Sequence, residues 1–514
     1  MKQLGLMGIV PVFGAGLSAA TEANQDDAQS ALTFAYQYGY PLAAYSRLFG
    51  QDSANGIKHW RELASADNHA VVRTNSDTLY STVTYDLSHN DLSISLGELD
   101  DWYWLFSFYD PYGDNYANFG SAGKYEPGKY RLRHVNDSYG VFKSEKGDEF
   151  KGYVNSPTPH GGIVVRTAVY NRETDYPKVH AFQDTIRIDT LNRTFELGDI
   201  PALDASIFQY EKPSSKPISN ATTVFALTAA LAPWNLPLVH EDRARVNKTL
   251  LSAGIKDGKF IQPQGTNITN AQETASKAAA KVLATKPEYI QDLGNNWQQT
   301  GQLVTGNFST LYDARQLIAS KGYLQLTQDQ ALYPSYNQKS GDGTIVIGPD
   351  EAAVFTFSRV PFIKATGFWS LTAYENEYFI PNSLNRYVLN SGSNLTHPDG
   401  SLVREYGDQP FQIIVQSSDK NPGGNWTNNW LPGPRNGGAF AVNLRLYGAQ
   451  PSMTDGGYVY PVVTIEKAIG SANSTTNSTS SPGTKQPPPP KSSAAALTAS
   501  LYMIVACVAA HAVW

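Results

Sequence analysis

Hydrophobic positions change their period several times along the chain, and each change predicts a different kind of element. From Asp26 to Phe49, Ala31, Phe34, Ala35, Tyr38, Leu42 and Tyr45 recur at three- and four-residue spacing, the signature of an amphipathic helix. Pro41 lacks an amide donor and predicts a kink or a split there. A helix–loop stretch then runs to the neighbourhood of His69. From Val71 to Leu197 the period moves toward two. The runs VVRTNSDTLYSTVTYDLS, DWYWLFSFYDPYG, GKYRLRHV, GGIVVRTAVYN and AFQDTIRID are β-branched and aromatic, with Gly, Pro, Asn and Asp between them. Short strands at this spacing predict an antiparallel β-sandwich. Helical spacing returns from Ile218 to Leu332, broken at Pro233, Gly254, Gly258 and Pro263. From Gly343 to Lys467 strands return (GTIVIG, AVFTFSR, FWSLTAY, FQIIVQSS, AFAVNLRLYG, YVYPVVTIEK), enough for a second, jelly-roll-like sandwich. The fold expected is mainly β with α: two antiparallel β-sandwich domains joined by a helical segment. Strands do not alternate with crossover helices, so a doubly wound nucleotide fold is not expected.

The two ends read as addresses. Lys2 precedes an apolar run, Leu4–Leu17, followed by small residues through Ala20 and Ala23, the pattern of a secretory signal peptide; a buried first helix is the alternative. At the other end the chain is mostly apolar from Ala494 to Trp514, with nothing basic after it. Upstream lie the spacer GTKQPPPPKSS and the small-residue cluster SANSTTNSTSSPG. Small residues, polar spacer and apolar tail are the parts of a GPI-attachment signal; a single-span helix is the alternative. Counting back through the spacer gives Ser480 as the attachment residue, with Asn477 next. The expected organisation is a signal peptide over 1–20, a helix and β-sandwich over 24–205, and a helical segment over 206–342. A β-sandwich over 343–467, a Ser/Thr/Pro-rich stalk over 468–493 and the GPI tail over 494–514 complete it.

Composition supports an exterior location. Only 17% of residues are charged, below the usual globular share of about 25%, so Asn, Ser, Thr, Gly and Tyr do much of the solvating. Asn-X-Ser/Thr occurs at Asn136, Asn192, Asn220, Asn247, Asn267, Asn307, Asn394, Asn425, Asn473 and Asn477, each a potential N-glycosylation acceptor. A net charge of −6 argues against a nucleic-acid partner. The single cysteine, Cys507, excludes an intramolecular disulfide and a Cys-rich zinc site. The partners expected are the membrane, through the GPI anchor, and a carbohydrate or other small ligand.

Motifs for known chemistries are missing: no HExxH, GxSxG, P-loop or EF-hand sequence is present, and the histidines are scattered singly. Neither a metal, a cofactor nor a catalytic residue is assigned. Three polar constellations inside apolar strands are candidates for binding. The first is Arg73–Ser81, which gathers Asn75, Asp77, Thr78 and Tyr80; an Asx turn bonding its own backbone is the alternative. The second is Trp102–Tyr112, a strand aromatic on both faces that ends in Tyr109 and Asp110; core packing with an Asp-Pro turn is the alternative. The third comprises Phe368–Tyr374, Asn385-Arg386-Tyr387, Asn429–Pro434 and Asn443–Tyr447. Arg386 and Arg445 sit there in apolar runs, where a charge is costly unless paired. A structural salt bridge and a ligand-binding arginine both fit. One pocket is expected where the amino-terminal strand ends meet the carboxy-terminal domain. Asn75, Asp77, Thr78, Tyr80, Tyr109 and Asp110 would lie on one side, with Arg386 and Trp430 closing it, or Asp77 and Arg386 would simply pair.

The order RTNSDTLYS, DWYWLFSFYDPYG, GGIVVRT, FWSLTAY, NRY, NWLPGP and AFAVNLRLYGAQP resembles a tandem family: domain of unknown function 1254 followed by domain of unknown function 1214. The resemblance spans about residues 30–465. It implies two β-sandwich domains with a helical segment between them, and no settled reaction. Gly433 stands where the family form is similar to NWLPAP, and Arg435-Asn436-Gly437-Gly438 follows it. Two functions remain open: a GPI-anchored surface glycoprotein that binds a carbohydrate or other small ligand, or an exterior hydrolase or lyase working without thiol or metal.

Overall fold

The computed structural model describes residues 15–50, 53–67, 72–193, 198–208, 220–337, 343–404 and 407–470. The expected stalk beyond residue 470 and the tail, with Asn473, Asn477 and Ser480, lie outside these residues, as do residues 1–14 of the expected leader. Six α-helices are described: α1 (Ala15–Phe49), α2 (Arg172–Thr185), α3 (Ala221–Leu231), α4 (Arg243–Ser252), α5 (Ile268–Thr285) and α6 (Tyr312–Gly322). The rest is mainly strand.

Pro41 does not split α1, which runs through it unbroken. Tyr38, Leu42, Ala43 and Tyr45, on both sides of it, are buried in one core. Each large apolar side chain so buried is worth about 1.5–3 kcal/mol, and together they exceed the roughly 3 kcal/mol that an internal proline costs. Two residues earlier, Gly39 lets α1 approach α3 closely: a Cβ there would stand 1.7 Å from Thr228 Oγ1.

Two five-stranded sheets form the first β region. One has the order Ile57–His59, Thr78–Asp86, His160–Ala168, Trp104–Tyr109, Asn115–Gly120; the other Arg187–Leu191, Asp91–Leu96, Gly128–His134, Gly152–Ser156, Gly140–Lys143. Val83, Phe106 and Val165 of one share a core with Ile94, Leu132 and Val154 of the other. In the second β region a nine-stranded sheet centred on Gly438–Ala449 and Ile363–Glu375 shares its core with a four-stranded sheet containing Glu351–Phe357 and Phe411–Ser417.

Three details differ from the sequence reading. Pairing is not wholly antiparallel: Gly128–His134 with Gly152–Ser156, and Phe411–Ser417 with Trp430–Gly433, run parallel. The segment AFQDT, expected as strand, ends α2, whose start is fixed by Asn171 accepting from Glu173 N; burial of Val179 and Phe182 on one face holds it helical. The stretch Ile290–Thr300, expected as helix, is a hairpin that joins the nine-stranded sheet, so that sheet begins well before residue 343. Between the two β regions the helices are not a mere connection. Tyr38, Phe225, Ala275 and Tyr323 of the helical layer lie in one core with Leu105 and Val164 of the first region and Phe368 and Tyr447 of the second.

Candidate functional site

Side chains alternate across a strand, so a sheet with one face in its own core must turn the other face elsewhere. In the first β region that outward face carries Tyr80, Ser107, Tyr109 and Arg166, with Tyr80 and Leu105 in register with Arg166 from either side. In the second it carries Ser370, Thr372, Tyr374, Asn443, Arg445 and Tyr447, with Ser370 opposite Arg445 and Phe368 opposite Tyr447. These two outward faces meet. Asn75 Nδ2 donates to Tyr447 Oη at 2.8 Å and shares its hydrogens with Tyr80 Oη and Thr78 Oγ1, both at 3.2 Å. Ser370 Oγ donates to Asp77 Oδ2 at 2.6 Å. The segment from Arg73 to Thr78 threads this polar seam.

Arg73 locks the segment in place. It holds a left-handed backbone (φ 49°), costly for a side-chain-bearing residue. The surroundings over-determine it: its amide donates to Glu377 O at 2.7 Å and its Nε to Glu377 Oε2 at 2.6 Å. Arg445 Nη2 returns a bond to Arg73 O at 2.9 Å, and Tyr374 Oη donates to Thr74 O at 2.7 Å. Asn75 Oδ1 accepts from Asp77 N at 2.6 Å. The Asx turn is thus present, and the same asparagine also bridges the two faces.

The seam is buried and charged. Asp77 Oδ1 has no hydrogen-bond partner. Burial pushes the Asp77 carboxyl above its usual range, against the pull of Arg445, Ser370 and the Asn390 amide. Arg445 donates to Thr372 Oγ1, Arg73 O and Tyr374 Oη at 2.9, 2.9 and 2.6 Å. Arg166 donates to Ser107 Oγ at 3.1 Å and Tyr109 Oη at 3.4 Å. The Nε of both arginines and the hydroxyl of Tyr103 have no partner. Burial raises the hydroxyls of Tyr103, Tyr109, Tyr374 and Tyr447 above the usual phenol range, so they are neutral donors at pH 7. The arrangement suits an anion or a hydroxyl-rich molecule. Among the described residues no group of three His, Cys, Asp or Glu side chains is placed to hold a metal.

Of the residues singled out in the sequence, Asn75, Asp77, Thr78, Tyr80 and Tyr109 come together here. Asp110, Arg386 and Trp430 do not. Asp110 lies just past the end of the Trp104–Tyr109 strand, where its Oδ1 accepts from Tyr112 N and Asp114 N, each at 2.9 Å. Arg386 spends Nη1 on the carbonyls of Thr427 and Trp430 at 2.6 and 3.1 Å, and its expected pairing with Asp77 is not formed; Arg445 is the charge that acts on Asp77. Trp430 packs on Val354 and Ile414 of the four-stranded sheet. Tyr103, Ser370, Tyr374 and Tyr447 lie in the candidate constellations but were left out of the expected pocket, and Arg166 lies in none of the constellations. A signal existed: Arg166, Arg445 and Tyr447 are polar members of otherwise apolar alternating strands. A separate surface cleft of about 320 Å³ is lined by Asn136, Asp137, Tyr139, Leu238, His240 and Arg243 and shares no residue with the seam.

No curated protein matches the chain. Among solved structures, the VPA0106 protein from Vibrio parahaemolyticus is similar at 20% identity, with 86% of this chain and 100% of that chain covered and a TM-score of 0.56; at this identity the likeness concerns the fold alone. A putative uncharacterized protein from Burkholderia cenocepacia is a weaker likeness, at 13% identity, 88% and 98% coverage and a TM-score of 0.41. Two family profiles match, protein of unknown function DUF1254 over residues 54–190 and protein of unknown function DUF1214 over residues 330–451. Asn75, Asp77, Tyr109 and Arg166 lie in the first match, and Ser370, Tyr374, Arg445 and Tyr447 in the second. The chain belongs to the tandem DUF1254–DUF1214 family, and its polar seam is built from both halves of that tandem.

Proposed function

We propose that this protein is a GPI-anchored, N-glycosylated surface protein that binds a small ligand in the seam between two β-sandwich units. One observation carries the binding role: two sheet faces bring fully buried arginine, aspartate and tyrosine groups together and leave several of their polar atoms without partners. Such groups are expensive in a purely structural interior and are what a ligand would satisfy. The enclosure favours a small molecule over a long glycan.

The location rests on the two terminal sequence patterns and gains support from the acceptor asparagines. Asn136, Asn192, Asn220, Asn247, Asn267, Asn394 and Asn425 are exposed and Asn307 is half-buried, whereas Asn75, Asn235, Asn390 and Asn443, outside such motifs, are buried. Release of the protein from intact cells by a phosphatidylinositol-specific phospholipase tests the anchor; a protein that stays in the membrane fraction with its carboxy-terminal tail intact refutes it. A thermal-shift screen of the full-length protein against sugars and small metabolites tests binding. The second reading, an exterior hydrolase or lyase, is favoured by the raised Asp77 carboxyl beside Tyr374 and Arg445, the setting of a general acid. Turnover of a screened ligand, abolished by Asp77→Asn with binding retained, would select it.

A further inference from the structure

We infer that Arg166 and the tyrosines around it bind the carboxylate of a small organic acid. The inference rests on the small-ligand reading above and gives that ligand its chemical class. Four arginine residues are at most 2% exposed: Arg73, Arg166, Arg315 and Arg445. Arg73 reaches Glu377 at 2.6 Å and Arg315 reaches Asp114 at 3.2 Å; Arg445 has no carboxylate within 4.0 Å among the described residues, but the charge of Asp77 acts on it. Arg166 has no carboxylate within 4.0 Å among the described residues. Its two partners, Ser107 Oγ and Tyr109 Oη, are neutral.

A guanidinium cannot shed its proton, and a buried unpaired charge is strongly unfavourable. The missing counter-charge is therefore the expected ligand atom group. The free Nε lies on a fork whose geometry suits the two oxygens of a carboxylate. The unpartnered Tyr103 hydroxyl, for which Arg166 is the leading charged neighbour, supplies a further donor. One cation among neutral phenols suits a monoanion better than a phosphate dianion. The body of the acid would meet rings: Tyr103 lies 5.1 Å from Phe368 and 5.5 Å from Tyr447, and Phe368 stacks on Tyr447 at 4.6 Å. That wall suits an aromatic or apolar acid. Because Arg166, Tyr103 and Tyr447 are all within 1% of full burial, the acid enters only when the two faces part.

The test is a thermal-shift and calorimetry series on the full-length protein, equilibrated with aliphatic and aromatic monocarboxylic acids and, in parallel, with the primary amide of each. The expected result is stabilisation by one or more acids and none by the matching amides. Arg166→Lys keeps the charge but loses the fork and should weaken acid binding by about ten- to a hundred-fold. Tyr103→Phe removes only an unpartnered hydroxyl, so it should leave the ligand-free melting temperature unchanged or higher while weakening acid binding by about three- to ten-fold. If Arg166→Lys does not fold, Tyr103→Phe decides. The inference is overturned if no acid is preferred to its amide, or if acids bind both variants as tightly as the parent. In the first case, a shift by amides or sugars leaves the small-ligand reading standing, whereas silence from every compound overturns both.

Discussion

Asp110 should make the protein less stable as pH rises. Its carboxyl is fully enclosed where the first sheet meets α1 and α6. Oδ1 accepts two backbone amides at 2.9 Å, and Oδ2 has no partner. Burial, and then the neighbouring Asp114, push its titration well above the ordinary carboxylate range, with Arg315 opposing them. The folded state therefore holds a proton that the unfolded chain releases near pH 4, at about 3.9 for an unperturbed Asp. A raised folded-state value means that the contribution to stability is complete below the unfolded value and is lost as pH rises toward the folded one. One proton bound only by the folded state gives a slope of about 1.4 kcal/mol per pH unit across that window. Asp110→Asn keeps the shape and the Oδ1 acceptor but has nothing to titrate. Relative to the parent, the variant should gain stability as pH rises above about 4, at up to that slope, until the raised folded-state titration is reached. Urea unfolding followed by tryptophan fluorescence at four pH values measures it. Parallel stability profiles for parent and variant would refute the reasoning, because they would mean that Asp110 is ionised in the folded protein.

Two further perturbations follow from neighbouring geometry. Asp114→Asn removes the carboxylate at 3.2 Å from the buried Arg315 and should cost about 3–5 kcal/mol, read as a lower urea midpoint; a loss under 1 kcal/mol would mean that the three tyrosine rings around Arg315 suffice. Gly39→Ala drives a methyl group into Thr228 and should destabilise by about 1–3 kcal/mol through overpacking, although alanine is the better helix former; a variant as stable as the parent would show that α1 and α3 are free to separate.

How much of the site could be read in the sequence depended on the range of the interaction involved. Asn75, Asp77, Thr78 and Tyr80 lie within six residues, and their density alone marked the seam. Tyr109 was found through the same local logic, but Asp110 was carried along with it wrongly: it lies past the strand end, in a turn that bonds its carboxyl to the Tyr112 and Asp114 amides beside Arg315. Arg386 and Arg445 looked alike in sequence, each a charge among apolar neighbours. The fold separates them. Arg386 is absorbed by the carbonyls of Thr427 and Trp430, while Arg445 stands on the strand that faces Asp77.

The sequence by itself determined the local elements and the family. Period-two runs set the strands of both β regions, three- and four-residue spacing set most helices, and the ordered motifs identified the DUF1254–DUF1214 tandem. The tertiary structure alone decided which side of each strand became interior and which met the other half of the chain. It also carried α1 through Pro41, because the core around Tyr38 and Tyr45 outweighs one lost backbone bond. Periodicity reports only that a face is buried. What buries it, and whether Arg166 finds a carboxylate there, depends on residues hundreds of positions away, and no local pattern encodes that pairing.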